Sequence, residues 1–301
     1  MSRSLALTST VVLSLLLVGC RLDFIDIGGS SRDDGDNGTG NGSGSASISV
    51  LAADAGGYNS FLLTLDGVDF QRSGAATERL EFGETDQELL VDPTSGGVLI
   101  NTGFDLPSGS YRGLVLRAIS GFDPPGSEVD GLPLDIGNAT FESSYGIRTA
   151  GGNDLVLVIN TLSALLPERE NGAVTSYAFR PAGYVVRLDQ AGFVEGNVGA
   201  CGDAAPDQRA VYVFRENASP RDIRGPAGSE NDPLVVVSTD ANGNYITPPL
   251  REGSYQISFT CNALDDDPET TDESVSEELA DNLDTVEVFR GDPSQAAELN
   301  F

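Results

Sequence analysis

The chain has no histidine, no lysine and no tryptophan, and only one methionine and three cysteines among its 301 residues. Without an imidazole, neither a Ser-His-Asp nor a Cys-His catalytic arrangement can be assembled, and histidine can neither ligate zinc nor shuttle protons. Without lysine, all 17 basic residues are arginine, against 46 acidic ones, for a net charge of −29. Such a surface repels phosphate backbones, whose binding proteins work mainly by displacing counterions with basic side chains, so nucleic acid is excluded as a partner. It repels an anionic lipid face for the same reason, so any membrane attachment needs another source. Without tryptophan, a stacking platform for sugar rings would have to come from the eight tyrosines, most of which sit beside expected strands or turns.

What remains is short apolar runs punctuated by turn formers. Gly and Pro number 36 and 15, and the apolar fraction is 39%, below the ordinary range but too high for disorder throughout. This pattern predicts strands joined by many turns, and the length leaves room for about two domains.

The amino end carries the most specific signal. Arg3 gives a positive start, Leu5 to Val18 is apolar apart from Thr and Ser, and Leu17-Val18-Gly19-Cys20 follows. A basic region followed by an apolar stretch of this length is a secretory signal rather than a membrane span. The four closing residues resemble the lipobox of bacterial lipoproteins. That resemblance implies cleavage before Cys20, a diacylglycerol on its sulfur and acylation of its new amino group. Each buried methylene contributes about 0.8 kcal/mol, so several chains anchor stably where charge cannot. Arg21 stands where an Asp would favour inner-membrane retention in Gram-negative systems, which implies the outer membrane. Residues 28–47 contain no large apolar side chain, and Asp33, Asp34 and Asp36 solvate a Gly/Ser backbone; we read residues 20–47 as the lipidated cysteine and a disordered tether.

From Ile48 the composition turns strand-like, with expected strands at 48–52, 61–70, 88–92, 109–118, 155–161 and 183–188. Phe61, Leu63 and Leu65 alternate with Leu62, Thr64 and Asp66, and the apolar parity then shifts to Val68 and Phe70, which suggests a bulge at Gly67. Leu155 to Ile159 is apolar on both faces, as in a central strand. Leu162–Arg169 invites a short helix, limited by Pro167. The succession FLLTLDGVDFQR, QELLVDP, DLPSGSYRGLVLRA, NDLVLVIN and YAFRPAGYVVRL resembles a domain of unknown function that follows the lipobox in many bacterial lipoproteins. One departure is Phe179-Arg180-Pro181, where that family usually has an aliphatic residue before x-Pro. The resemblance covers residues 48–190 and implies a β-sandwich, with no ligand or catalytic residue to carry over.

A second set of strands is expected at 193–198, 211–214, 234–237, 245–246, 255–260 and 285–289, closing at 299–301. Thr239-Asp240-Ala241-Asn242-Gly243-Asn244-Tyr245 followed by Leu250-Arg251-Glu252-Gly253-Ser254-Tyr255 resembles the signature of carboxypeptidase regulatory-like domains. That resemblance implies a transthyretin-like β-sandwich over 191–301 and no catalysis of its own.

Two oxygen-rich segments are candidate calcium ligands: Asp240, Asn242 and Asn244, and the run Asp265, Asp266 and Asp267. The first lacks the later Glu and flanking helices of a calcium loop and reads rather as a hairpin turn, with Gly243 at positive φ. The second reads as the start of a solvated excursion between strands, running to Glu278. Cys201 and Cys261 are the pair left once Cys20 is lipidated, and an exported chain permits their oxidation; the loop of 261 − 201 = 60 residues would add about 4 kcal/mol of stability.

The expectation is therefore an all-β chain: signal peptide (1–19), tether (20–47), and two tandem β-sandwiches (48–190 and 191–301). The role expected is that of an envelope lipoprotein with no enzymatic activity and no cofactor, structural or binding, with the lipid bilayer and an envelope protein or glycan as partners. Two alternatives stand beside it: a carboxylate-dependent hydrolase of envelope polysaccharide, recognisable by two opposed acids in a groove, and a calcium-stabilised carbohydrate-binding or adhesion module.

Overall fold

The computed structural model describes residues 42–53, 58–82, 87–90, 98–122, 126–199, 201, 204–205, 208–223, 231–291 and 297–298. Among the described residues the fold is all-β, with two short α-helices. In the first half the strands are β1 (Ser43–Ala53), β2 (Phe61–Arg72), β3 (Glu78–Glu81), β4 (Gln87–Leu90), β5 (Val98–Pro107), β6 (Gly109–Ala118) and β7 (Glu128–Val129). They continue as β8 (Leu132–Asp135), β9 (Asn138–Ile147), β10 (Asn153–Asn160), β11 (Leu165–Glu170), β12 (Ala173–Phe179) and β13 (Gly183–Arg187). The second half contributes β14 (Ala191–Gly192), β15 (Val194–Asn197), β16 (Ala210–Arg215), β17 (Val235–Ser238), β18 (Asn244–Ile246), β19 (Leu250–Arg251), β20 (Gly253–Thr260), β21 (Asp284–Val288) and β22 (Ala297–Glu298). The helices are α1 (Thr161–Ala164) and α2 (Glu273–Asp281).

The first half stacks a four-stranded sheet, β13-β10-β1-β5, on a larger one that runs β11-β12-β8-β7-β2-β6-β9, with β3 and β4 also paired to β2. Between them lies one core. Ile48, Val50, Leu155, Leu157 and Ile159 from the small sheet meet Phe61, Leu63, Leu65, Phe70 and Leu114 from the large one, all essentially inaccessible to solvent. The expected bulge is present. Pairing with β6 shifts from Leu65↔Ala118 to Gly67↔Arg117, so β2 gains one residue and Val68 and Phe70 rejoin the core face. The position requires glycine, because a Cβ there would run into the Arg117 guanidinium and the Leu80 carbonyl.

Strand β10 is two-faced for a reason that alternation alone did not supply. Leu155, Leu157 and Ile159 point into the first core, while Val156 and Val158 join a second cluster with Val186, Val194, Val211, Val213, Val235 and Ile257. The outer face of the small sheet is thus covered by the second half of the chain. Strand β16 repeats the device: Val211 and Val213 face that seam, and Tyr212 and Phe214 face a third cluster with Val275 and Leu279 of α2. Leu162 of α1 also enters the third cluster, and Thr161 ties α1 to β1 through a 2.6 Å hydrogen bond to the Ala53 carbonyl. Around this the second half forms sheets β17-β16-β20-β21, β18-β15-β22 and β14-β19.

Three expectations change. The strand expected from Ile48 begins at Ser43, so Ser43–Ser47, read as tether, belongs to β1 and pairs with β5 and β10. This stretch forms strand without large side chains, held by backbone pairing and by the fully buried Asn153, whose Nδ2 donates to the Ser45 and Arg148 carbonyls at 3.0 Å. The helix expected over Leu162–Arg169 ends at Ala164, and Leu165–Glu170 is strand. Pro167 is tolerated there because β11 lies at a sheet edge, and the Asn171-Gly172 turn into β12 takes positive φ at both residues. The acidic excursion, finally, contains helix α2. Its Val275 and Leu279, one turn apart, are fully buried although the rest of the helix is polar or small.

Candidate functional site

Cys20 and its lipobox residues Leu17, Val18 and Gly19 lie outside the described residues. Cys201 and Cys261 are joined by a disulfide, with Cα atoms 5.4 Å apart. The bond fastens the segment after β15 to the end of β20, where Glu278 of α2 accepts hydrogen bonds from the Cys261 N–H (3.1 Å), from Asn262 Nδ2 (3.2 Å) and from the Thr260 hydroxyl.

Asp240 closes a turn. Its Oδ1 accepts the N–H groups of Asn242 and Asn244, both at 2.8 Å, and its Oδ2 accepts Asn244 Nδ2 at 2.9 Å. Gly243 takes φ +84°. Burial opposes ionisation here, but the hydrogen bonds from Asn244 and Asn242 prevail and hold the carboxyl below its ordinary range. Asn242 contributes its backbone to this carboxylate, and Asn244 both its backbone and its amide, so the three residues form the hairpin of the second reading.

The acidic run is divided by the fold. Asp265 and Asp267 are exposed, whereas Asp266 is 3% exposed and meets Asp222 and Asp272, with one oxygen of each within 4.8 Å of the others. The sequence reading had singled out neither Asp222 nor Asp272. They lie 44 residues before and 6 residues after Asp266, since 266 − 222 = 44 and 272 − 266 = 6, and only the docking of α2 brings all three together. Asp272 stands at the N-cap position of α2, its carboxylate accepting the Asp267 N–H at 2.8 Å, and its own backbone N–H donates to Asp222 Oδ2 at 2.5 Å. Ser276 on the first turn of α2 donates to Asp222 Oδ1 at 2.7 Å. Tyr212 of β16 and the Ile223 N–H donate to the two oxygens of Asp266 at 2.7 and 3.0 Å.

Burial above all raises the Asp266 carboxyl to about 7; the bonds from Tyr212 and Ile223 oppose the shift, and Asp222 and Asp272 add to it. The Tyr212 hydroxyl is itself pushed well above its ordinary value, first by burial and then by Asp266. Carboxylates this close are relieved by a shared proton or by a hard cation. Among the described residues no other three acidic groups approach so closely.

A different kind of surface opens where the two halves meet. A hollow of about 450 Å³ is lined by Ser73, Ser110, Ser144, Gln190 and Arg251 above the buried rings of Tyr111 and Tyr145. Those rings stack with centroids 5.4 Å apart. Arg251, from β19, donates to the Ser144 carbonyl of β9 across the seam.

No family model matches this chain, and no curated protein matches it. Solved structures overlap it loosely. They include the Bacillus anthracis TIE protein (11% identity, 86% of this chain and 34% of that one, TM-score 0.21). A streptococcal ancillary pilin overlaps it at 9% identity (86% and 61%, TM-score 0.19), and GBS52, the minor pilin of Streptococcus agalactiae, at 10% (85% and 94%, TM-score 0.22). This chain spans about a third of the first of these and under two thirds of the second. Overlays this loose carry no argument about activity.

Proposed function

We propose that this protein is a lipid-anchored component of the cell envelope with a non-catalytic, structural or binding role, held at the outer membrane by acylated Cys20. Within this reading, the lipoprotein-associated sandwich runs from β1 at Ser43 to residue 190 and the carboxypeptidase regulatory-like one over 191–301. The anchoring half rests on the order of signal, lipobox and Gly/Ser/Asp stretch. The structural half rests on one observation: the buried valines of β10, Val156 and Val158, lie in a common core with β15, β16 and β17, so both sandwiches present their loops from a single joined body.

The hydrolase alternative has less support. It needs an acid that keeps its proton beside an open groove. Asp266 has the raised pKa, but its carboxyl is buried and already accepts bonds from Tyr212 and Ile223.

Metabolic labelling with a fatty acid, followed by envelope fractionation, tests the anchor. The native chain takes up label and sediments with outer membrane, and Cys20→Ser abolishes both. An unlabelled mature chain released freely, or one retaining its first nineteen residues, overturns the reading.

A further inference from the structure

The hollow between the two halves differs from the rest of this surface. In a chain with 46 acidic residues, none of the described residues lining it is acidic. The charged groups tied to its rim are mainly arginines. Arg251 lines it. Arg187, almost fully buried, donates to the carbonyl of the lining Gly146 at 2.6 Å and pairs with Asp189, which also pairs with Arg148. Arg72 lies near enough to Tyr111 to influence its hydroxyl, donates to the Ser108 carbonyl at 3.4 Å and pairs with Glu78. Among these contacts four guanidiniums and two carboxylates are engaged, while Glu252, beside Arg251, is matched by Arg290 at 3.8 Å. At physiological salt, charges beyond about 8 Å are largely screened, so nearby groups weigh more on a ligand here than the net charge of the whole chain.

The neutral groups narrow the chemistry. Ser73, Ser110, Ser144 and Gln190 line the hollow, and their side chains make no hydrogen bond among the described residues. Arg251 donates one N–H to Ser144 and keeps the others of its planar fork. A fork that matches a carboxylate, ringed by groups that both donate and accept, suits a polyol carrying an acid. The volume falls in the range of small-molecule sites. The tyrosine rings are 1% and 5% exposed, so they form a floor rather than a stacking platform.

We propose that this hollow is a binding site for an acidic saccharide, its carboxylate on Arg251 and its ring hydroxyls on Ser110, Ser144, Ser73 and Gln190. This inference rests on the binding form of the role proposed above and specifies its ligand class. Calorimetric titration of the detergent-solubilised full-length protein with digalacturonate, digalactose and acetate tests it. Digalacturonate binds, and digalactose and acetate each bind at least about tenfold more weakly. Arg251→Gln weakens digalacturonate at least about tenfold, the loss expected for one charge-assisted contact. Because Arg251 also bridges the seam, the doubly substituted Ser110→Ala, Ser144→Ala chain supplies a second readout: it weakens binding severalfold with an unchanged melting temperature. Absence of heat with digalacturonate at millimolar concentration, equal binding of digalactose, equal binding of acetate, or indifference to both sets of substitutions overturns the site. Fatty-acid labelling of the same preparations reports the anchor separately, so a failed site and a failed envelope assignment give different results.

Discussion

The hydroxyl of Tyr212 donates a 2.7 Å hydrogen bond to Oδ2 of Asp266, and both side chains are buried. The bond joins strand β16 to the acidic segment ahead of α2; burial, which this bond opposes, makes Asp266 the carboxyl among the described residues with the most pH to report. Its folded pKa is about 7 against an ordinary 3.8. Between those values the unfolded chain has lost a proton that the folded chain keeps, so stability falls as pH rises from about 4 to about 7 and levels off above. The loss is on the order of 1.4 kcal/mol per pH unit within that window. Urea midpoints measured with chelator present should show this slope in the native chain and lose it in Asp266→Asn. A variant that preserves the slope refutes the assignment. Repeating the melts with calcium tests the calcium-stabilised alternative, which an unchanged midpoint removes.

Gly67→Ala should destabilise by about 1 to 3 kcal/mol, because the new methyl meets the Arg117 guanidinium and the Leu80 carbonyl. Arg117 cannot yield freely: Asp66, Asp69 and Glu81 hold it at 3.6, 3.3 and 2.6 Å. Denaturant unfolding reads the change, and an unaltered midpoint would mean that the bulge relaxes.

Replacing Cys201 and Cys261 by Ala should cost about 4 kcal/mol, the loop entropy of a 60-residue closure, while leaving the far-ultraviolet spectrum native. A loss under about 1 kcal/mol would show that α2 and its Glu278 contacts hold the loop without the bond.

The valine seam predicts one cooperative calorimetric transition for the native body. Val158→Ala, at a fully buried position, should lower stability by about 1 to 3 kcal/mol. Val158→Asp should split the transition in two, because a carboxylate cannot be buried there unpaired. Two transitions in the native chain would refute the shared core.

Much of the strand set was legible from alternation. The expected limits of β6, Gly109 to Ala118, coincide with the observed ones, and β2 with its parity shift at Gly67 was readable because one face is buried along its whole length. Strand β9 was not recognised. Ala139, Phe141, Tyr145 and Ile147 do alternate, but Glu142, Ser143 and Ser144 interrupt them. Helix α2 was hidden in the same way, since two apolar residues one turn apart are a weak signal amid seven polar or small ones.

The all-β class, the period of the principal strands and the turn option at Asp240 were legible in the chain alone, because each depends on near neighbours; the pairing of Cys201 with Cys261 followed from the expectation that Cys20 carries lipid. Long-range packing decided which face of β10 meets which core, that Asp222, Asp266 and Asp272 come together, and that Arg251 reaches Ser144 beside the hollow. These depend on contacts across scores of residues, and alternation records only that a face is buried, never against what.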